Sequence, residues 1–259
     1  MQNNQFNSQT EGEFYNRMGE DILRREENLV VFNPTEFLAG STDAFNYMIG
    51  RIGEIKDKKV LDYGCGTGWF GVYLAKKYGA RVEGFDISEK LIEVARKRAE
   101  VNETENEIHF QSMKAERLKY PDETFDVVTG ISIIHHVDLE KARWELKRVM
   151  KKGGRAFFLE PLGENIIFEF ARNHIFTHYH GLSKDKSTER PLKYKDIEFL
   201  GKEFSCYRYK EFQLVSGIAR LTGDNLVSRL KLYRLDNFIL SHLSFLKKYC
   251  RLVVIELVK

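Results

Sequence analysis

The stretch Val60–Gly71, VLDYGCGTGWFG, places four glycines within eight residues directly after an apolar run that ends on an aspartate. Glycine contributes no side chain to a core, so this density implies turns at positive φ or close approach of main chain to another group. Working outward, Lys59 to Tyr63, Arg81 to Ile87, Glu107 to Gln111, Phe125 to Ser132 and Gly154 to Glu160 are short runs rich in Val, Ile, Phe and Leu. Helical periodicity separates several of them, over Trp69 to Tyr78, Ser88 to Asn102 and Leu139 to Met150. Strands alternating with helices predict a parallel sheet covered on both faces. In such a sheet a ligand sits at the carboxyl ends of the strands, where the glycines of the first turn lie.

The flanks are less regular. Met1 to Thr10 reads as a disordered tail, followed by a helix over Glu11 to Glu27. Ser41 is placed to cap a second helix running through Ile55. After Glu160 the alternation lapses. Lys193 to Phe204 reads as a helix, Ser205 to Val215 as a strand, Gly217 to Lys248 as helical and CRLVVIELVK, 250–259, as a closing strand. The expected division is a tail and lid helix over 1–40, a ligand-binding core over 41–160, and a substrate-cap segment with inserted helices and closing strands of the same domain over 161–259.

Composition narrows the class. With 42% hydrophobic residues in 259, the chain has ample material for a core. No apolar run reaches the roughly 18 residues of a membrane span, and the polar start lacks the pattern of a signal peptide, so the cytoplasm is the expected compartment. Cys65, Cys206 and Cys250 have no paired spacing, which argues against a disulfide framework and a thiolate zinc site. The net charge of +3 is uneven: residues 165–259 hold 17 Lys and Arg against 10 Asp and Glu, a net +7, against −4 before them. A basic C-terminal part fits an anionic substrate, an acidic membrane surface or nucleic acid, although interleaved charges also describe a solvated helical face.

Two ligand classes use a glycine-rich first turn. GTGWFG from Gly66 satisfies the dinucleotide pattern G-x-G-x-x-G, but there the first motif glycine follows its strand at once, whereas here Gly64 already occupies the turn. Asp62-x-Gly64-x-Gly66-x-Gly68 resembles motif I of the class I S-adenosylmethionine-dependent methyltransferases. The resemblance continues in order through VEGFDIS, which ends a strand in Asp86, through AERLKYPDETFDVVTGISIIHHV, and through LKRVMKKGGRAFFLEP. It covers about Glu11 to Pro161.

The resemblance implies an α/β fold with a seven-stranded Rossmann-like sheet, mostly parallel with an antiparallel last strand, helices on both faces and a helical cap or insertion. It implies S-adenosyl-L-methionine as cofactor. Asp62, Tyr63, Gly64, Gly66 and Gly68 would serve its methionine end, and Asp86 with Ile87 its ribose hydroxyls, to which a carboxylate makes charge-assisted bonds. Lys114, Ala115 and Glu116 would border the adenine, with Gly130 and Ile131 on the fourth strand beside them. Many relatives have an aspartate next to the ring where this chain has Lys114, so that contact falls to main chain around Lys114 and Ala115 or to Glu116. Tyr15 and Arg17 lie where relatives fold a helix over the cofactor. Asp62 has an alternative as cap of its own turn, and for the helix after Asp86 Ser88 is the better cap.

Catalytic candidates follow from position. His135 and His136 succeed the fourth strand, where one side chain is expected to face the pocket while the other packs, and either is a base for the acceptor's proton. Glu160, at the end of the fifth strand, is the other candidate; a cap or an arginine partner is its structural alternative. HIFTHYH, with His174, His178 and His180, imitates a metal site but lacks an acidic or cysteine ligand, and no metal is expected. Asn102-Glu103-Thr104 fits the glycosylation pattern, idle in a cytoplasmic chain.

The expected reaction is in-line methyl transfer to a small organic acceptor, anionic or lipophilic, with oxygen favoured because histidine or glutamate can deprotonate a hydroxyl. EPLGENIIFEFARN and STERPLKYKDIEFLGKEF resemble a bacterial and archaeal branch of the family with a substrate-covering helical segment. LYRLDNFILSHLSFLKKY, 232–249, carries apolar residues at helical spacing beside Arg and Lys, suited to closing a pocket, pairing as a homodimer or lying on lipid headgroups. Methylation of RNA or another macromolecule is the enzyme alternative, although SIIHHV replaces the amino-methylating motif and no RNA-binding module is evident. A non-catalytic cofactor-binding partner subunit is the alternative from another class; a dinucleotide oxidoreductase lacks its Tyr-x-x-x-Lys.

Overall fold

The computed structural model describes residues 8–25, 29–31, 41–163, 190–218 and 231–259. The first two helices are α1 (Ser8–Arg24) and α2 (Thr42–Ile52). The alternating core follows as β1 (Lys59–Tyr63), α3 (Trp69–Tyr78), β2 (Arg81–Asp86), α4 (Glu89–Val101), β3 (Ile108–Ser112), β4 (Phe125–Ile131), α5 (Leu139–Val149) and β5 (Met150–Pro161). The chain then adds α6 (Tyr194–Gly201), β6 (Cys206–Phe212), α7 (Leu232–His242) and β7 (Leu252–Val258).

The seven strands form one sheet in the order β3-β2-β1-β4-β5-β7-β6. β1 through β5 run parallel, and β7 lies antiparallel between β5 and β6. The order reverses between β1 and β4, and a crevice opens at the carboxyl ends of strands at such a switch point.

Strand alternation divides the core between two faces. Val60, Val127, Phe157 and Val254 pack with Phe45 and Met48 of α2, Leu74 of α3 and Ile92 of α4. Leu61, Val128, Phe158 and Ile255 pack on the other face with Leu146 of α5 and Leu200 of α6. Phe157 and Phe158 are both wholly buried, and truncating either to alanine removes about 3–5 kcal/mol.

Several expected boundaries move. α1 begins at Ser8, inside the expected tail, and ends at Arg24 rather than Glu27. α2 stops at Ile52 because Gly53 turns the chain at φ 73, and Ser41 occupies the N-cap position without a side-chain cap bond. β5 begins at Met150 rather than Gly154. Its polar start hides a ladder in which Met150 pairs with Phe125 across a register shift, and Lys151 bonds Asp126 at 2.8 Å. The helical stretch expected to Lys248 breaks at Leu243, φ −120 and ψ 69, and continues as a 3-10 turn over Ser244–Tyr249. Among the described residues no helix is long and apolar enough to cross a membrane.

Candidate functional site

β1 ends at Tyr63 and the glycine loop begins. Gly64, Gly66 and Gly68 all adopt positive φ, at 68°, 51° and 74°, a region costly to side chains. Their surroundings differ. A Cβ on Gly64 would run into Ile133, one on Gly68 would meet Ala95 at 2.7 Å and the Phe110 ring at 2.8 Å, and one on Gly66 would meet nothing within 4 Å. Gly130 on β4 also yields to Ile133, whose Cγ2 would lie 2.8 Å from a Cβ there. The close approach expected of the loop glycines is made at Gly64 and Gly68 by neighbouring side chains, and Gly130 is likewise vacated for one. Gly66 alone of these four faces open space.

That space is a cleft of about 200 Å³ at the carboxyl ends of β1, β2 and β4. Of the positions singled out in the sequence, Tyr15, Gly64, Gly66, Asp86, Ile87, Ala115, Glu116, Ile131 and His136 line it. Asp86 accepts hydrogen bonds from the Gly66 N–H at 3.0 Å and the Ser88 N–H at 2.9 Å. Burial raises its pKa, against the pull of the Ser88, Gly66 and Ile87 N–H groups and of the His136 ring nearby. Ser88 caps α4 by accepting from the Leu91 N–H at 3.1 Å, as expected, which leaves Asp86 to the cleft.

Other singled-out residues lie elsewhere. Asp62 is buried behind the loop, where Oδ2 accepts from the Gly71 N–H at 3.0 Å, so its carboxylate serves the turn rather than the cleft. Burial pushes its pKa up to about 7. Tyr63 points into the core between Phe85 and Phe158, and its hydroxyl donates to the Ala115 carbonyl at 3.3 Å. Lys114 and Arg17 are exposed side chains outside the cleft lining. Glu116 keeps to the wall and accepts from the Asp138 N–H at the start of α5 at 3.1 Å.

His135 and His136 diverge as expected, for a different reason. They stand on a 3-10 turn, Ile134–His136, rather than on a strand, with their rings 4.0 Å apart. His136 faces the cleft. His135 turns inward to Glu160, Nδ1 to Oε2 at 2.7 Å. Glu160 is fully buried, and its Oε1 accepts from the Ile133 and Ile134 N–H groups at 2.8 and 2.9 Å. It holds the turn from beneath and does not reach the cleft. Among the described residues no group of three or more His, Cys, Asp or Glu is arranged to hold a metal; His174, His178 and His180 lie outside those residues.

The sequence did not single out Glu11, which is buried on α1, lines the cleft and approaches His136 Nδ1 at 3.5 Å. Nor did it single out Asn16. Asn16 Oδ1 accepts from Ser88 Oγ at 2.7 Å and the Lys90 N–H at 3.2 Å, fixing α1 to the start of α4. Gly19 permits this approach, since a Cβ there would sit 2.7 Å from the Lys90 carbonyl carbon. A glycine inside an amphipathic pattern is the sequence signal of such a close approach, and it was not read. Ser132, at φ 55, also lines the cleft.

The sheet order and the cleft at the switch point define the fold of the class I, Rossmann-like methyltransferases. Residues 60–154 match the family described as "Methyltransferase domain". Over 98 residues the chain is 41% identical to "Methyltransferase GfsG" of Streptomyces halstedii, covering 38% of this chain and 35% of that protein. Over 105 residues it is 38% identical to "Ubiquinone biosynthesis O-methyltransferase" of Coxiella burnetii, covering 40% and 44%. The chain thus spans less than half the length of these curated relatives. Geranyl diphosphate C-methyltransferase from Streptomyces coelicolor A3(2), solved with Mg2+, geranyl diphosphate and S-adenosyl-L-homocysteine, superimposes with a TM-score of 0.62 at 16% identity over 84% of this chain and 79% of that one.

Proposed function

We propose that this chain is an S-adenosylmethionine-dependent methyltransferase acting on a small organic acceptor, with a hydroxyl oxygen as the receiving atom. The observation that carries the reading is the pairing of Asp86 with the open face of Gly66. A buried carboxylate, held by two loop N–H groups, faces the one glycine of the loop whose missing Cβ leaves empty space. This cradle fits a ligand with a vicinal diol beside a slim charged tail. Asp86 takes the ribose hydroxyls, main chain at Gly64 and Gly66 passes along the methionine end, and Ala115 with Glu116 borders the adenine.

When bound, the cofactor supplies an electrophilic methyl group on a sulfonium. The protein's part is placement and proton handling. His136 takes the acceptor's proton, with Glu11 beside it to stabilise the resulting imidazolium. Glu160 and His135 are positioning residues that hold the 3-10 turn carrying His136. Tyr15 closes the wall from α1. A tail and lid helix over 1–40, the cofactor-binding core over 41–160, and a substrate-cap segment with inserted helices and closing strands of the same domain over 161–259 complete the assignment. The similarity to the ubiquinone biosynthesis O-methyltransferase of Coxiella burnetii supports an acceptor of small-molecule type and oxygen as the receiving atom.

Calorimetric titration with S-adenosylmethionine, S-adenosylhomocysteine and NADH tests the cofactor. Binding of the first two without the third is expected; NADH binding alone would sink the reading. Screening hydroxylated acceptors with labelled methyl then tests the reaction, and His136→Ala should lower turnover about 100-fold while cofactor affinity is retained.

A further inference from the structure

α7 is anchored by one face only. Asp236 and Leu240, one turn apart, are buried. Asp236 accepts from the N–H groups of Leu214, Val215 and Ser216 and from Ser216 Oγ, the last at 2.6 Å, which pins the helix to the end of β6. The opposite face carries Lys231, Leu235, Phe238 and His242 at spacings of four, three and four, so they form one stripe. Phe238 is 64% exposed and Leu235 44%, and the following turn adds Leu243 at 45% and Phe245 at 65%. Two phenylalanines this exposed within eight residues leave large apolar side chains in water, at 64% and 65% exposure.

Charge selects the occupant. Residues 231–250 contain Lys231, Arg234, Lys247 and Lys248, while their one acid, Asp236, is buried and saturated. Among the described residues no carboxylate lies within ion-pair distance of these four cations. A second copy of the same face would bring like charges together around the apolar stripe. An anionic lipid surface instead accepts the rings among its acyl chains and the cations at its headgroups.

Location adds a constraint. β7 begins with Leu252 paired to Pro161 at the carboxyl end of β5, and β6 ends with Phe212 paired to the same Leu252. α7, pinned by Asp236 to Leu214–Ser216 just after β6, therefore lies on the sheet edge that carries the glycine loop. We propose that the outward face of α7 and the turn after it docks on an anionic lipid bilayer, presenting the cleft-bearing edge of the sheet to the membrane.

Sedimentation of the full chain with vesicles tests this. It should pellet with phosphatidylcholine vesicles containing phosphatidylglycerol, stay in solution with phosphatidylcholine alone, and dissociate as salt is raised. Lys247→Ala and Lys248→Ala should each weaken binding about fivefold, and the double substitution Phe238→Asp with Phe245→Asp about tenfold or more. Circular dichroism and S-adenosylmethionine titration should be unchanged in these variants, because none of the residues lies in the core or the cleft. Equal behaviour with both vesicle types, or undiminished binding by the phenylalanine double variant, would overturn the proposal. So would light scattering showing a wild-type dimer that the double variant converts to monomer, since the stripe would then belong to a second copy.

Discussion

Asp86 and Asp236 do the same physical work in two regions of one sheet edge. Each is a buried carboxylate that accepts backbone N–H groups and thereby fixes a loop at a strand end. Asp236 spends four bonds on its own neighbours and serves to hold a helix whose other face is left outside. Asp86 spends two and borders a hollow. A carboxylate saturated by its loop builds architecture; one that keeps acceptor capacity toward empty space is available to a ligand.

Substitution at the two sites should separate those roles. Asp236→Ala strands three N–H groups and a hydroxyl, and should cost about 3–5 kcal/mol in denaturant unfolding while leaving S-adenosylmethionine affinity unchanged. Loss of cofactor affinity in that variant would dissolve the contrast.

Asp62 sharpens it from a third direction. Its pKa of about 7 lies above the ordinary 3.8, so the stability linked to its neutral form is full below about pH 3.8 and is lost as pH rises through 7. Asp62→Asn keeps an acceptor for the Gly71 N–H and removes the buried charge. Thermal unfolding at pH 8 should show the variant more stable by about 2–4 kcal/mol, from about 1.36 kcal/mol per pH unit, with the advantage shrinking steadily toward pH 4. A pH-independent difference would contradict the burial of that carboxylate.

Asp86→Ala should weaken S-adenosylmethionine by about 1.5–3 kcal/mol in calorimetry, the loss expected for charge-assisted bonds. Unchanged affinity would remove Asp86 from the ribose assignment. The smallest effect on stability is expected at Gly66→Ala, about 1–2 kcal/mol from positive φ alone, while the Cβ placed in the open space should weaken cofactor binding in calorimetry. Gly68→Ala should show the reverse order, a greater loss of stability through Phe110 and Ala95, with folding rather than the cleft as the point of failure.

The alternation of strand and helix, the positive-φ turn after β1, Ser88 as a cap and Asp86 at a strand end were all legible, because each depends on residues within a few positions of one another. Trp69–Tyr78 and Lys59–Tyr63 match their expected bounds for that reason. Motif position alone did not tell Asp62 from Asp86. Both end a strand with a carboxylate, and their difference lies in what stands opposite: the Gly71 N–H for one, a cleft for the other. Tyr63 and Glu160 were likewise plausible site residues by position, and the packing of β5 and the turn after β4 drew both inward.

The sequence by itself determined the order of the elements, the parallel core and the glycine turn after β1, since periodicity and glycine conformation are local properties. Tertiary structure decided which polar groups keep capacity to spare. Glu11 reaches His136 across 125 positions, Glu160 reaches the Ile133 N–H across 27, and Asp236 reaches Leu214 across 22. A buried carboxylate must find donors wherever the fold brings them, and only the folded chain shows which has found enough.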